Sequence, residues 1–325
     1  MVEIQKNKRK RVTLDDYDNK DFKKHFIFTK DVVIQLHKQL LEIDDSIRYD
    51  HVLMTLDYLR YYTTFEDRCR IFHICYKTYS THVWRVLAAN IKLKFIHFEN
   101  RINFKVPDAT SIQNNGHLTL SIDTTFCPMN VKDESFYSVK HSANGVKYEV
   151  GCNLIDGEIM WIHGPFKGRM ADINIYRNNL KNVVINNGER FVADKAYQGE
   201  KEKLLTPHKE KIRFVNGKKE NLMEPIKKLE NSFIKRHRII IENVFSVMKR
   251  FSFLKKEWLS SIDKHTQAFM FVVNLFNISV TLNRCPPNEN DDAAESHEDE
   301  NEVDPPPISN EEYKKLSFPN TKSFK

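Results

Sequence analysis

HLTLSIDTTFCPM, residues 117 to 129, is the stretch from which the fold is read. Leu118, Leu120 and Ile122 alternate with Thr119, Ser121 and Asp123 at the period of two that belongs to a strand. The Asp123 carboxylate is therefore expected on the polar side of a half-buried strand. Downstream, residues 146 to 155 and 158 to 163 read as two strands joined around Asp156-Gly157, a hairpin signal. RFVADKAYQG, residues 190 to 199, places Asp194 at the end of a further strand, Phe191 to Ala193. A helical interval near Ile173 to Leu180 would let that strand lie parallel to the first.

The period then changes. In NSFIKRHRIIIENVFSVMKRFSFL, residues 231 to 254, Ile240, Val244, Val247, Met248 and Phe251 form an apolar stripe at helical spacing. Arg238, Glu242 and Lys249 gather on the other side, so a carboxylate is flanked by two cations on a rigid element. Such a trio also suits a solvated helix face with weak i,i+4 pairs. The order of strand with Asp, hairpin, helix, strand with Asp, helix with Glu is that of an RNase H-like fold. The expected class is α/β (α+β): an RNase H-like mixed sheet flanked by helices, preceded by a small all-α helix-turn-helix domain.

Residues 118 to 280 resemble the catalytic domain of DDE superfamily endonucleases, in particular PIF/Harbinger-type (IS4/IS5-like) transposases. SIDTT is similar to the first-acid strand, VADKAYQG to the second-acid motif with Ala196 in place of a glycine, and IENVFSVMKRF to the third. Arg238, Glu242 and Lys249 keep the spacing of the third-acid signature, but its usual tyrosine is replaced by Lys235. GPFKGRMAD, residues 164 to 172, resembles a further family segment in which Ala171 replaces a histidine while Asp172 remains. The resemblance implies Asp123, Asp194 and Glu242 as catalytic metal ligands, with Mg²⁺ or Mn²⁺, two ions in all, as cofactors. Three clustered carboxylates repel one another and call for hard cations with oxygen ligands, which fits that chemistry. The implied substrate is double-stranded DNA, both transposon ends and target, with a Myb-like DNA-binding partner protein and a homo-oligomer as further expectations. Arg238, Lys249 and Lys195 are expected at DNA phosphates. A catalytically silent DNA-binding descendant and an adaptor that uses the fold for protein contacts remain alternatives.

The rest of the chain fits this frame. Val52, Leu56 and Leu59 make one helical stripe, Thr63 with Glu66 has the form of a capping box, and Ser80 or Thr81 can cap a third helix carrying Val83, Leu87 and Ile91. Short helices joined by a tight turn make a helix-turn-helix, with Thr81, His82 and Arg85 near the start of its DNA-facing helix. An earlier helix, capped by Thr29, carries Val33, Leu36 and Leu40. The expected layout is a basic flexible N-terminus over 1–28, a helical DNA-binding domain over 29–106, an endonuclease domain over 107–285 with a basic insertion at 200–235, and an acidic disordered tail over 286–325.

Charge supports a polyanionic partner. The 325 residues carry a net +7, but residues 286–325 hold 4 Lys/Arg against 11 Asp/Glu, which leaves 47 against 33, or +14, for residues 1–285. KNKRKR, residues 6 to 11, suits a nuclear address or a phosphate-binding arm. Five cysteines without a CxxC pair or a secretory signal read as reduced thiols in an intracellular, nuclear protein. The longest apolar run, Ala268 to Leu282, is interrupted by Asn274 and Asn277, too short to span a bilayer, and is expected as a buried helix capped by Ser261; no membrane association follows.

Overall fold

A computed structural model of the protein describes residues 17–102, 104–105, 117–209, 212–215, 218–221 and 223–284. The basic cluster at 6–11, the polar linker before the first strand and the acidic tail lie outside them. Five helices come first: α1 (Asn19–Phe26), α2 (Lys30–Ile43), α3 (Tyr49–Tyr61), α4 (Phe65–Ile71) and α5 (Tyr76–Asn90). The expected flexible segment does not extend to residue 28. Asp18 caps α1 by accepting the Asp21 N–H at 2.7 Å, and Phe22, Phe26, Ile27 and Phe28 are buried. Burying four such side chains outweighs the entropy of ordering one short helix.

Thr29 stands at the N-cap of α2 as expected, but the caps of α4 and α5 are shifted. Thr64, not Thr63, opens α4, its hydroxyl oxygen accepting from the Asp67 N–H. α5 starts at Tyr76, ahead of Ser80, because Tyr79 is fully buried and donates its hydroxyl to the Met54 carbonyl of α3 at 2.8 Å. A tight turn separates α4 from α5, and His73 within it has a φ of 53°. Asp57 of α3 is fully buried between Arg68 of α4 at 2.9 Å and His25 of α1 at 3.2 Å, which ties three helices together.

The sheet follows: β1 (Phe104–Lys105), β2 (His117–Pro128), β3 (Tyr137–Ser138), β4 (Ala143–Asn153), β5 (Ile159–Lys167), β6 (Glu189–Val192) and β7 (Leu204–Leu205), with α6 (Asp172–Asn178) between β5 and β6. β5, β4 and β2 run antiparallel, and β6 and β7 continue parallel to β2 on its other side. This mixed α/β sheet, flanked by helices and preceded by a helical region, is RNase H-like. β2 is not the half-buried strand that alternation suggested. Thr119, Ser121 and Thr125 are buried along with Leu118, Leu120 and Ile122, because β2 is central and covered on both faces. One face packs Leu120 and Ile122 against Tyr176 and Tyr197. The other joins Cys127, Val146, Tyr148 and Val150 to the two long C-terminal helices.

Those helices are α7 (Pro225–Met248) and α8 (Ile262–Arg284), and a small ladder of β8 (Ile212–Val215) and β9 (Lys218–Asn221) precedes them. The span 200–235, expected as a basic insertion, supplies β7, this ladder and the first turns of α7. Pro225 at the start of α7 is pre-set for that position, having no N–H to satisfy. The buried side of α7 is centred on Ile234, His237, Ile241, Val244 and Met248, so Ile240 and Val247 of the expected stripe are only half-buried. Ser261 caps α8 as expected, accepting the Lys264 N–H.

No helix among the described residues is long and apolar enough to cross a membrane. Asn274 and Asn277 instead bind neighbours: Asn274 donates to Asn90 of α5, and Asn277 donates to the carbonyls of Phe95 and Ile159 while accepting the Ile159 N–H. The helical region and the sheet thus share one continuous core through α8. Phe269 lies at its centre, fully buried and stacked on Tyr148 with ring centroids 4.0 Å apart. Phe269→Ala is expected to lower unfolding stability by about 3–5 kcal/mol. The transition should stay single, with far-UV circular dichroism and tryptophan fluorescence melting together; separated transitions would show two independent cores.

Candidate active site

The parallel pairing of β2 with β6 ends at Ser121 and Val192. Asp123 and Asp194 each stand two residues beyond that last pair, on strands adjacent in the sheet. Asp123 accepts the Thr124 N–H at 2.8 Å. Asp194 caps a single 3-10 turn, Lys195–Tyr197, by accepting the Ala196 N–H at 3.1 Å. α7 packs across β2, β4 and β6 and brings Arg238 and Glu242 to the same place. Arg238 Nη2 lies 3.4 Å from Asp194 Oδ2 and 3.1 Å from Glu242 Oε1, so one nitrogen bridges two of the expected acids.

Asp123 sits in the charge field of this group. Burial pushes its carboxyl up to about 6, the Thr124 N–H and the Arg238 guanidinium pull it back, and Asp194 and Asp172 push it further up. Asp172, at the start of α6, is held at 2.8 Å by Lys147 of β4. Behind it, burial pushes the fully enclosed Glu149 up to about 7 even though Trp161 donates to it at 3.1 Å. Lys147 and Glu149 carried no sequence signal, since in β4 they read as the polar positions alternating with Val146, Tyr148 and Val150. Asp172 was visible only through its motif.

The donor set of Asp123, Asp194 and Glu242 consists of carboxylate oxygens alone, and Asp123 is short of positive charge, which together suit a hard divalent cation. Among the described residues no group of three or more His, Cys, Asp and Glu side chains is gathered closely enough to hold an ion, and Arg238 occupies the space between two of the acids.

The other expected contacts are placed less uniformly. Lys195 is exposed beside Asp194. Lys249, the C-cap of α7, acts instead on Cys127 and His141 near the far end of β2, so it does not join the Arg238 bridge. In the helical region Thr81 and Arg85 are exposed on α5, and Arg85 donates to Ser46 at 3.0 Å. His82 is half-buried and stacks on the buried His51, ring centroids 3.6 Å apart. Tyr76, Lys77 and Thr78, in the first turn of α5, are exposed and were missed because the helix was expected to begin later.

The sheet order, with helices on both sides, defines an RNase H-like domain. Residues 119–277 match the family described as DDE superfamily endonuclease, and this part of the chain is a DDE superfamily endonuclease domain. No curated protein and no solved structure matches the chain significantly.

The raised Asp123 sets a pH dependence in metal-free protein. A carboxyl at about 6 in the folded state and 3.8 in the ordinary state costs stability as pH rises between those values, and the full cost is present above about 6. Asp123→Asn should therefore raise the melting temperature in chelator at pH 7.5, with the gain shrinking toward pH 4. Thermal denaturation of both proteins across that range checks it, and a gain independent of pH would contradict it.

Proposed function

We propose that the chain is a metal-dependent DNA endonuclease of the PIF/Harbinger transposase type, cutting phosphodiesters by in-line displacement with strand transfer as a second step. The observation that carries this reading is the departure of Asp123 and Asp194 together from the last parallel rung, with Asp194 joined to Glu242 of α7 through Arg238. Asp123, Asp194 and Glu242 would hold Mg²⁺ or Mn²⁺. When bound, such ions neutralise the carboxylates, lower the pKa of an attacking water or 3′-hydroxyl and stabilise the leaving oxygen. The fixed Asp194 turn and the Thr124 N–H orient two of the acids before any ion arrives. Exposed Lys195 is positioned to meet a phosphate beside the cut, and Lys228, Lys235 and Arg236 extend a basic face along α7.

The exposed first turns of α5, following a tight turn after α4, support a helix-turn-helix reading in which Lys77, Thr81 and Arg85 approach DNA. A nuclear location, a Myb-like partner and a homo-oligomer accompany this proposal on the family resemblance.

Cleavage of supercoiled and linear duplex DNA with Mg²⁺ or Mn²⁺ tests the chemistry. Asp123→Asn and Glu242→Gln should each reduce it by at least about a hundredfold, beyond what loss of a supporting residue costs. Salt-sensitive binding without cutting by any version would favour a silent DNA-binding protein instead. For the helical region, Lys77→Ala and Arg85→Ala should each lower the slope of log affinity against log salt by about 1. Unchanged slopes would remove α5 from the interface.

A further inference from the structure

Arg238 does not make the contacts expected of a permanent structural clamp. Its single Nη2 serves both Asp194 and Glu242, at 3.4 and 3.1 Å, longer than the usual charge-assisted bond. Its Nε is buried with no hydrogen-bond partner. The contrast within the same protein is Arg101, whose Nε and Nη2 form a two-pronged fork on the buried Glu189, which also accepts from Thr119 and the Asn186 N–H. Arg101 is locked by two nitrogens on one carboxylate, whereas Arg238 is held by one nitrogen shared between two carboxylates. Glu242, one turn further along the same helix, has a side chain 54% exposed, so the outer end of the bridge opens to water.

A cation is nevertheless needed there. Asp194 and Glu242 meet on one nitrogen of Arg238, Asp123 stands two residues past the last parallel rung within the field of Arg238 and Asp194, and Asp172 is already matched by Lys147. Arg238 bridges Asp194 and Glu242 and acts on Asp123 through space. A divalent ion at the same carboxylates would bring twice that charge to the space the guanidinium fills, and the two cations cannot share it without strong repulsion.

We propose that Arg238 is a built-in, displaceable counter-cation of the carboxylate site, which bridges the acids in the ion-free protein and gives up that place when a divalent ion loads. This rests on the metal-site reading above. Metal loading then releases a guanidinium at the edge of the site, free to meet a substrate phosphate.

Calorimetric titration of Mn²⁺ into the full chain without DNA, for the unaltered protein and for Arg238→Gln, Arg238→Lys and Asp123→Asn, tests this. Removing the competing charge should tighten Mn²⁺ binding by about tenfold in Arg238→Gln, while Arg238→Lys, which keeps the charge, stays near the unaltered value. A clamp would do the reverse, because acids that lose their bridge splay apart. Binding that needs Asp123 but is equal or weaker in Arg238→Gln would overturn the counter-cation and leave the metal site standing. Absence of Asp123-dependent binding in all versions would overturn both. Arginine-selective ¹⁵N spectra of the unaltered protein during a Mg²⁺ titration give a readout that needs no variant: the Arg238 signal should shift and sharpen as the side chain is freed, and a fixed signal through saturation would also overturn the proposal.

Discussion

A carboxylate on a central strand covered on both faces must be neutralised, matched or opened to water, and β2 opens in one place. Leu118 to Ile122 are enclosed, Thr125 to Cys127 are enclosed, and the cover opens only over Asp123 and Thr124. The opening exists because the parallel partner ends at Val192 and its chain turns away through the one-turn helix that Asp194 caps. The second carboxylate is thus delivered by the same backbone event that uncovers the first. The remaining architecture serves to hold that gap open and furnish it with charge.

α7 and α8 divide this work. α8 is the beam: its apolar sides join the helical region to β4 and β5, and Asn274 and Asn277 fix its rotation by satisfying backbone and amide groups on both neighbours. A buried asparagine left unpaired would be costly, so these contacts select one register. α7 carries the chemistry on one side and the core on the other, with Ile241 and Val244 anchored while Arg238 and Glu242 face the acids. The end of α3 is stitched to the segment between them through Arg60 on the Arg250 carbonyl and Tyr62 stacked on Trp258. The helical region therefore braces the site as well as offering α5 outward.

How much of this was legible depended on whether a signal was local. The Asp123 strand, the Asp156-Gly157 hairpin, the Asp194 strand end and the Glu242 helix announced themselves through alternation, turn residues and period, and all four elements are present. The N-terminal helix was hidden because KDFKKHF mixes four charges and a histidine among its aromatics, so its burial is decided by what Phe22 and Phe26 meet and not by pattern. The start of α5 was missed for a similar reason, since Tyr79 needs the Met54 carbonyl of another helix to be a core residue.

The sequence by itself determined the order of elements and which residues carry carboxylates, because strand and helix periods and turn chemistry are written in neighbouring residues. Only the tertiary structure decided that β2 is buried on both faces, that His82 stacks on His51, and that Lys249 stands apart from Glu242 while Arg238 bridges Glu242 and Asp194. Apart from the Arg238–Glu242 pair, which is one helical turn, those facts depend on residues far apart in the chain, such as Arg238 and Asp194 at 44 positions, and no local period encodes which charges a packed core will bring together.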